Sequence, residues 1–481
     1  MYKTLQKNWP KDKDLPERAF TLEMRRRVLD GELYDKLRHP FHYEMNDGGD
    51  YVPLRERRPS VRNNLCRTVV DDSVSLLFSE GNFPAIESED EQQEASLQRL
   101  VKELHLNLVM IDAATRGSVG SVAILLRVLD SRVFLNVIDT FYLTPQWNNA
   151  APDTLVSVTE KRKVDGKSLQ AAGYAIAPDD QATLFWFQRQ WDSSGERWFV
   201  PWKVADDAAI ASAAPIIDAS KTIEHQLGFV PIVWVRNLPG GSDIDGNCTF
   251  PDEAIDTQIE IDYQLSQAGR GLKFMSDPTL VIRNEASAGA PLIKGAANAI
   301  MVGQDGDAKL LEISGDSTAA VMTYVTHLRE VALEAMHGNR ASNEKMSAAQ
   351  SGRALELLNQ ALVWLADRLR VSYGEGAILD LMAMIARASN KIALKFRDGT
   401  AVGQFDAAAR LSLRWPAWFA PTLQDLSLRA STLRTLCEAG LLSRATAIRI
   451  LSAEYDIEDP AAEKVLADGD VAERNKVPQP T

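Results

Sequence analysis

The chain has 481 residues, 45% of them hydrophobic, and a formal net charge of −13; a length of that order divides into two or more folding units with sizeable cores. The acidic balance excludes a generally basic nucleic-acid binder, whose grip comes from many Lys and Arg contacts to phosphate with counterion release; it does not exclude DNA as a transient passenger, and charge alone decides little, since most cytoplasmic proteins are mildly acidic. No run reaches the ~18 uncharged apolar residues of a membrane span, and MYKTLQKNWPKDKDLPERAF at the start has no apolar leader core, so the reading is a soluble, non-secreted protein with no membrane partner.

Residues 1 to about 80 carry apolar side chains at spacings of three and four. In PSVRNNLCRTVVDDSVSLLFSEG this predicts a helix capped by Ser60, burying Val61, Leu65, Val69, Ser73, Val74, Leu77 and Phe78 and stopped by Gly81. The acidic run ESEDEQQE, Glu87 to Glu94, suits a helix start because carboxylates complement the helix dipole. That helix is predicted to continue through SLQRLVKELHLNLVMIDAATRG. From Ser121 to Asn237, short β-branched and aromatic runs predict strands: SVAILLRVL, RVFLNVIDTFYLTP, TLVSVTEKRKV, ATLFWFQRQW, ERWFVPWKV and FVPIVWVRN. Asp192 to Gly195 reads as a hairpin loop. Trp186, Trp191, Trp198 and Trp202 flank it without an interleaved ladder of Lys and Arg, which favours cross-strand packing or a subunit contact over base stacking.

After LPGGSDIDGNCTFP a helix is predicted from Asp252 to about Met275, with Ile255, Ile259, Leu265, Ala268 and Leu272 on one side and Asp252, Glu253, Asp256, Glu260 and Asp262 crowding its first half. It spans roughly 35 Å. Gly269 and Gly271 weaken its last turns by about 1 kcal/mol each relative to alanine, which means either an outside support or an early end near Ala268. Residues 276 to 315 form an insert of short strands, PTLVIRN, APLIKG, NAIMVGQDGD and AKLLEISGD. A second helix of matching length follows from about Ser317, its stripe of Val321, Tyr324, Val325, Leu328, Val331, Ala332, Ala335 and Met336 ending at Gly338. Between Gly338 and Gly352 only Met346 is a sizeable apolar residue, so this connection belongs outside any core. A third helix from near Ala348 carries Leu355, Leu358, Leu362, Leu365 and Leu369, then Leu379, Met382 and Ile385, with a kink expected at Gly374 and Gly376. KIALKFRDG and RLSLRWPAWFAP suggest strands. Three short helices close the chain, with Gly440 ending the first, Ser443 capping the second and Asp459-Pro460 opening the third, and the tail RNKVPQPT is expected to be disordered.

Chemistry is hard to find. DGKS, Asp165 to Ser168, resembles the end of a phosphate loop, but position 161 must then be glycine and is Lys161. Ser342 and Lys345 satisfy S-x-x-K in a polar loop without partner motifs. His39 and His42 lack a third metal ligand. SDIDGN, Ser242 to Asn247, has the alternating acids of a calcium loop, but Cys248 stands where glycine is needed and Ala254 where glutamate is needed, so it reads as a polar turn. Cys66, Cys248 and Cys437 are far apart, which argues against a disulfide framework or a four-thiolate zinc site. The sequence therefore assigns no catalytic residue, metal or cofactor, and the protein is not expected to be an enzyme.

Helix, compact β insert, helix of matching length, polar loop, long helix, small helical end: this order resembles the portal (head-to-tail connector) proteins of tailed bacteriophages. GFVPIVWVRN, Gly228 to Asn237, is similar to the strand with a Gly-x-x-Pro start and terminal Asn before that family's first stem helix. QSGRALELLN, Gln350 to Asn359, resembles the start of its long helix after the tunnel loop, and LCEAGLLSRATAIRIL, Leu436 to Leu451, its leucine-rich C-terminal turn. The resemblance implies an α+β, mostly helical chain assembled as a ring, usually of twelve subunits. Its parts would be a wing (1–250), first stem helix (251–275), clip (276–316), second stem helix (317–337), tunnel loop (338–349), long helix and strands returning to the wing (350–419), and crown (420–481).

The ring would stand at one capsid vertex of the virion, assembled in the host cytoplasm, and serve as the conduit for packaging and ejecting double-stranded DNA. Its other partners would be the terminase large subunit, capsid and scaffolding proteins, and later head-completion or tail adaptors. Asn339, Arg340, Ser342, Asn343, Lys345 and Gln350 would face DNA, with Gly338 and Gly352 as loop hinges. Asp256, Glu260, Asp262, Arg270 and Lys273 would line the stem, and Arg283, Lys294, Asp305 and Asp307 would offer the clip to partners. The competing reading is a structural scaffold or adaptor with no central hole.

Overall fold

A computed structural model describes residues 1–7, 15–35, 57–204, 215–276, 279–285, 302–311, 316–338, 359–419, 423–452 and 460–474, with a few single positions between them. The chain is α+β. It divides into two compact units, Met1–Asn339 with Ala361–Pro416, and Arg340–Gln360 with Ala417–Thr481.

The larger unit opens with α1 (Tyr2–Lys7), α2 (Glu17–Leu29) and α3 (Leu65–Phe78). α3 does not start beside Ser60. Its cap is Asn64, whose side-chain oxygen takes the Arg67 N–H while its amide donates to the Val28 and Leu29 carbonyls at the end of α2. Val61 is therefore outside the helix and exposed, whereas Leu65, Val69, Ser73, Val74, Leu77 and Phe78 are buried as predicted. After β1 (Ala85–Ser88), Asp90 caps α4 (Glu91–Glu103) by accepting the Gln92 and Gln93 N–H groups. The helix predicted to run on unbroken stops here: His105 is left-handed, φ 49°, and α5 (Leu106–Gly117) begins anew.

Strands follow as β2 (Ser121–Leu129), β3 (Arg132–Asp139), β4 (Leu143–Asn148) and β5 (Ala151–Asp165), then α6 (Gly166–Ala171), β6 (Leu184–Asp192), β7 (Gly195–Trp198), β8 (Trp202–Lys203), β9 (Ile223–Glu224) and β10 (Ile232–Arg236). They make two antiparallel sheets, ordered β10-β2-β3 and β4-β5-β6-β7-β9, with β8 added to β6. Leu125 and Ile232 of the first sheet share a buried cluster with Leu143, Val158 and Trp191 of the second. The Asp192 carboxylate accepts the Ser194 and Gly195 N–H groups, which closes the predicted hairpin turn. The tryptophans do meet cations, which arrive across the β5–β6 pairing: Lys161 and Lys163 lie 4.6 and 5.0 Å from the Trp186 ring centre. Residues remote in sequence thus supply what the local pattern lacked.

α7 (Asp252–Ser276) passes straight through Gly269 and Gly271, so it does not end at Ala268. β11 (Thr279–Glu285) and β12 (Val302–Leu311) pair antiparallel from Thr279 with Leu311 to Glu285 with Val302, and α8 (Asp316–Ala335) then packs beside α7. The predicted strand APLIKG lies outside the described residues.

The kink expected at the glycine pair is instead a run of wider π-type turns, Arg370–Ile378, between α9 (Gln360–Leu369) and α10 (Leu379–Ser389). A Cβ on Gly374 would stand 2.4 Å from the Trp415 ring, so glycine answers a close approach there. β13 (Leu411–Arg414) pairs with β1, while KIALKFRDG contributes only the isolated bridge from Lys395 to Ala401. The smaller unit contains α11 (Leu423–Glu438), α12 (Arg444–Ser452) and α13 (Pro460–Arg474). As predicted, Gly440 is left-handed after α11, and the Ser443 hydroxyl accepts the Thr446 N–H at the start of α12. Residues 339–356, His39, His42 and the tail 475–481 lie outside the described residues. No helix among the described residues is long and apolar enough to cross a membrane.

Candidate functional site

The α7–α8 hairpin is the feature on which the sequence reading turns. Its α7 side is closed by the chain itself. Gln258, Asp262 and Ser266, four residues apart, form a polar stripe between buried apolar positions, and each accepts backbone N–H groups from the segment that leads into α3. Gln258 Oε1 takes the Cys66 N–H at 3.0 Å, Asp262 Oδ1 the Asn63 N–H at 2.7 Å, and Ser266 Oγ those of Ser60 and Val61 at 2.9 and 3.0 Å. The Tyr34 hydroxyl completes the set by donating to Asp262 Oδ2 at 3.0 Å. These bonds satisfy donors that no helix or strand satisfies, as buried backbone requires.

Asp262 is 1% exposed, so the expectation that it lines a channel fails. Burial pushes its carboxyl up to about 6, against the Asn63 and Tyr34 hydrogen bonds and the nearby Arg62 charge, which favour the anion. Asp256 is also engaged within the chain, with the Met1 amino group at 2.7 Å and the Tyr2 N–H at 2.6 Å. Partial burial opposes ionisation there, but these contacts outweigh it and hold the carboxyl below its usual range. Glu260 is half-buried and accepts from Gln264 on the next turn at 2.7 Å. Arg270 and Lys273 are on α7, Arg283 and Asp305 on the two strands of the insert, and Asp307, exposed on β12, pairs in register with Arg283. Lys294, Asn339, Arg340, Ser342, Asn343, Lys345, Gln350 and Gly352 lie outside the described residues.

The α8 side contrasts with this. Of its predicted stripe only Val325, Ala332 and Met336 are buried, with Leu333 beside them. Met322, Tyr324 and Val331 are 48%, 47% and 42% exposed, and Leu272 of α7 is 48% exposed. Tyr324 and Val331, seven positions apart, share one face of α8, whereas Met322 lies on the opposite side of the helix; lone apolar residues on a surface are ordinary, and a shared face is a larger exposed patch.

Gly338, expected to be a hinge, is a pinned point. A Cβ there would lie 2.3 Å from Val69 Cγ2 on α3, and its N–H bonds the Leu333 carbonyl at 2.8 Å. The left-handed residue after α8 is His337 instead, φ 54°.

Asn237, the terminal Asn of the strand motif, is fully buried. Its amide donates to Thr249 Oγ1 and the Asn247 carbonyl, both at 2.9 Å, and its oxygen accepts the Tyr373 hydroxyl from the π-turn segment at 3.1 Å. Its role is not evident from the sequence, where the one signal is a polar residue ending an otherwise apolar strand. The calcium-like loop is likewise committed internally: Asp245 receives Arg18 Nη2 at 2.7 Å and the Ser121 hydroxyl at 2.5 Å. Asp165 of DGKS caps α6 by taking the Ser168 N–H at 2.8 Å.

No family model matches the sequence, and neither does any curated protein. Among solved structures, the chain is similar over 80% of its length, and over 88% of the other chain, to a chain of the virion of a native gene transfer agent particle, with a TM-score of 0.38 and 11% identity. A chain in the neck of an empty gene transfer agent particle, computed with C6 symmetry, gives the same coverage, TM-score and identity. Likeness of that degree does not establish the fold.

Proposed function

We propose that this protein is the subunit of a portal ring, which threads double-stranded DNA through an axial hole at a capsid vertex of a virus-like particle. The observation that carries the reading is the α7–α8 hairpin: two rods of 25 and 20 residues packed together, joined at one end by a two-stranded insert, in the order the resemblance requires. Two further features support it. The outward apolar side chains of α8 are only about half covered by the described residues of their own chain. A Cβ on Gly269 would meet nothing within 4 Å among the described residues, and one on Gly271 only Thr318 Oγ1 at 3.9 Å, which leaves room there for close approach by a neighbouring copy.

On this reading residues 1–250 and 350–419 build the wing, the hairpin is the stem, residues 276–316 are the clip that docks a terminase and later a tail adaptor, and residues 420–481 are the crown. Arg340 and Lys345 touch phosphates transiently, and the protein itself has no catalytic role. Negative-stain imaging of the purified, assembled protein tests the proposal. Rings with an axial opening are expected, and a compact oligomer without a hole overturns it in favour of a scaffold or adaptor.

A further inference from the structure

The six-stranded sheet carries a feature that the ring reading leaves unused. Between β5, β6 and α6 a cleft of about 680 Å³ is floored by Phe187 and Trp198, whose rings meet edge to face at 5.8 Å, and is walled by Tyr174, Arg162, Arg189 and Lys221. The Lys221 ammonium sits 3.4 Å from the centre of the Tyr174 ring. Two donors on the lining, Tyr174 Oη and Trp198 Nε1, are buried with no hydrogen-bond partner among the described residues, and Tyr174 as a whole is only 9% exposed. A buried donor without an acceptor is costly, and two beside a cluster of cations indicate that an acceptor is to be supplied from outside.

Charge narrows what that acceptor is. Arg162 and Arg189 both pair with Glu160, and Arg189 shares Glu196 with Arg127. Five cations of this cluster, Arg127, Arg162, Lys163, Arg189 and Lys221, thus stand against four carboxylates, Asp165 on the lining, Glu160 and Glu196 behind it and Asp218 beside Lys221. The surplus suits one carboxylate, whereas a phosphate chain needs several uncommitted cations. The aromatic floor adds an apolar or aromatic neighbour to that carboxylate. β9, the edge of this sheet, carries Ile223 on the rim, so backbone hydrogen-bonding groups lie beside the opening.

We infer that this cleft binds a peptide segment of another protein in which an aromatic or branched apolar side chain stands next to a carboxylate. The inference does not depend on the ring reading, since the cleft lies wholly within one chain's sheet and needs no axial hole.

The test uses full-length protein and a fluorescein-labelled peptide, Ser-Asp-Phe-Glu-Leu-Ser, followed by fluorescence anisotropy. Saturable binding is expected. It should weaken by about tenfold when the two acids of the peptide become amides, and by about tenfold in Lys221→Glu. Tyr174→Phe, which keeps the ring and removes only the orphan hydroxyl, should weaken it by about threefold while near-ultraviolet circular dichroism stays unchanged. Absence of saturable binding to folded protein, or equal binding of the amide peptide, overturns the inference. Displacement of the peptide by an equimolar oligothymidylate also overturns it, because the cleft would then prefer a nucleic acid.

Discussion

The two outward sides of the α7–α8 hairpin obey different rules. On the α7 side, Gln258, Asp262 and Ser266 find their partners within the same chain, so the first two-thirds of that rod is tied down when the monomer folds. On the α8 side, Tyr324 and Val331 face solvent although they are as apolar as the buried set beside them. The difference separates folding from the proposed assembly: α7 anchors the rod to the body, and on the ring reading α8 is the side left for another copy.

Charging the open side is expected to have the largest effect. Tyr324→Glu with Val331→Glu should abolish assembly, seen as a shift to monomer in sedimentation velocity, while urea unfolding of that monomer moves by no more than about 0.5 kcal/mol, as for other exposed sites. If assembly persists, the α8 face is not the contact. Next in size is the closed body. Asn237→Ala strands the Tyr373 hydroxyl and the Thr249 side chain in a dry interior and should cost about 3 kcal/mol in urea unfolding without altering the oligomer formed at permissive temperature.

The subtlest effect is a pH dependence at Asp262. Its folded carboxyl titrates near 6, above the unfolded value near 3.8, so the folded state holds the extra proton between those values. Stability from this group is therefore full below about pH 4 and is lost as pH rises through 6, a loss of about 3 kcal/mol. Asp262→Asn keeps an acceptor for the Asn63 N–H, can donate to the Tyr34 oxygen, and has no charge to bury. Its unfolding midpoints at pH 4.5 and 7.5 should differ less than those of the unsubstituted protein, and an equal slope in the two proteins would remove Asp262 as the source.

Much of the hairpin was legible because amphipathic spacing and turn residues are local signals. Both rods and the insert between them could be placed from Ile255, Ile259, Val325 and Ala332 together with the glycine-rich breaks. What could not be read was whether a polar side chain on such a rod meets solvent or another segment. The acids of α7 looked like a solvated face, yet Asp262 answers Tyr34 and Asn63, about two hundred positions away in the chain. The same limit hid Lys161 over Trp186, which the pairing of β5 with β6 creates. Glycine misled in a different way: Gly374 and Gly338 looked like points of freedom and are points of contact, with Trp415 and Val69 where a side chain would have to go.

The most direct test of the central claim is a subnanometre cryo-electron microscopy map of the assembled protein. The account predicts an axial bore walled by paired helices, with Tyr324 and Val331 buried between neighbouring subunits. A map in which residues 252–276 and 316–335 lie at the periphery, or in which no bore exists, would contradict it.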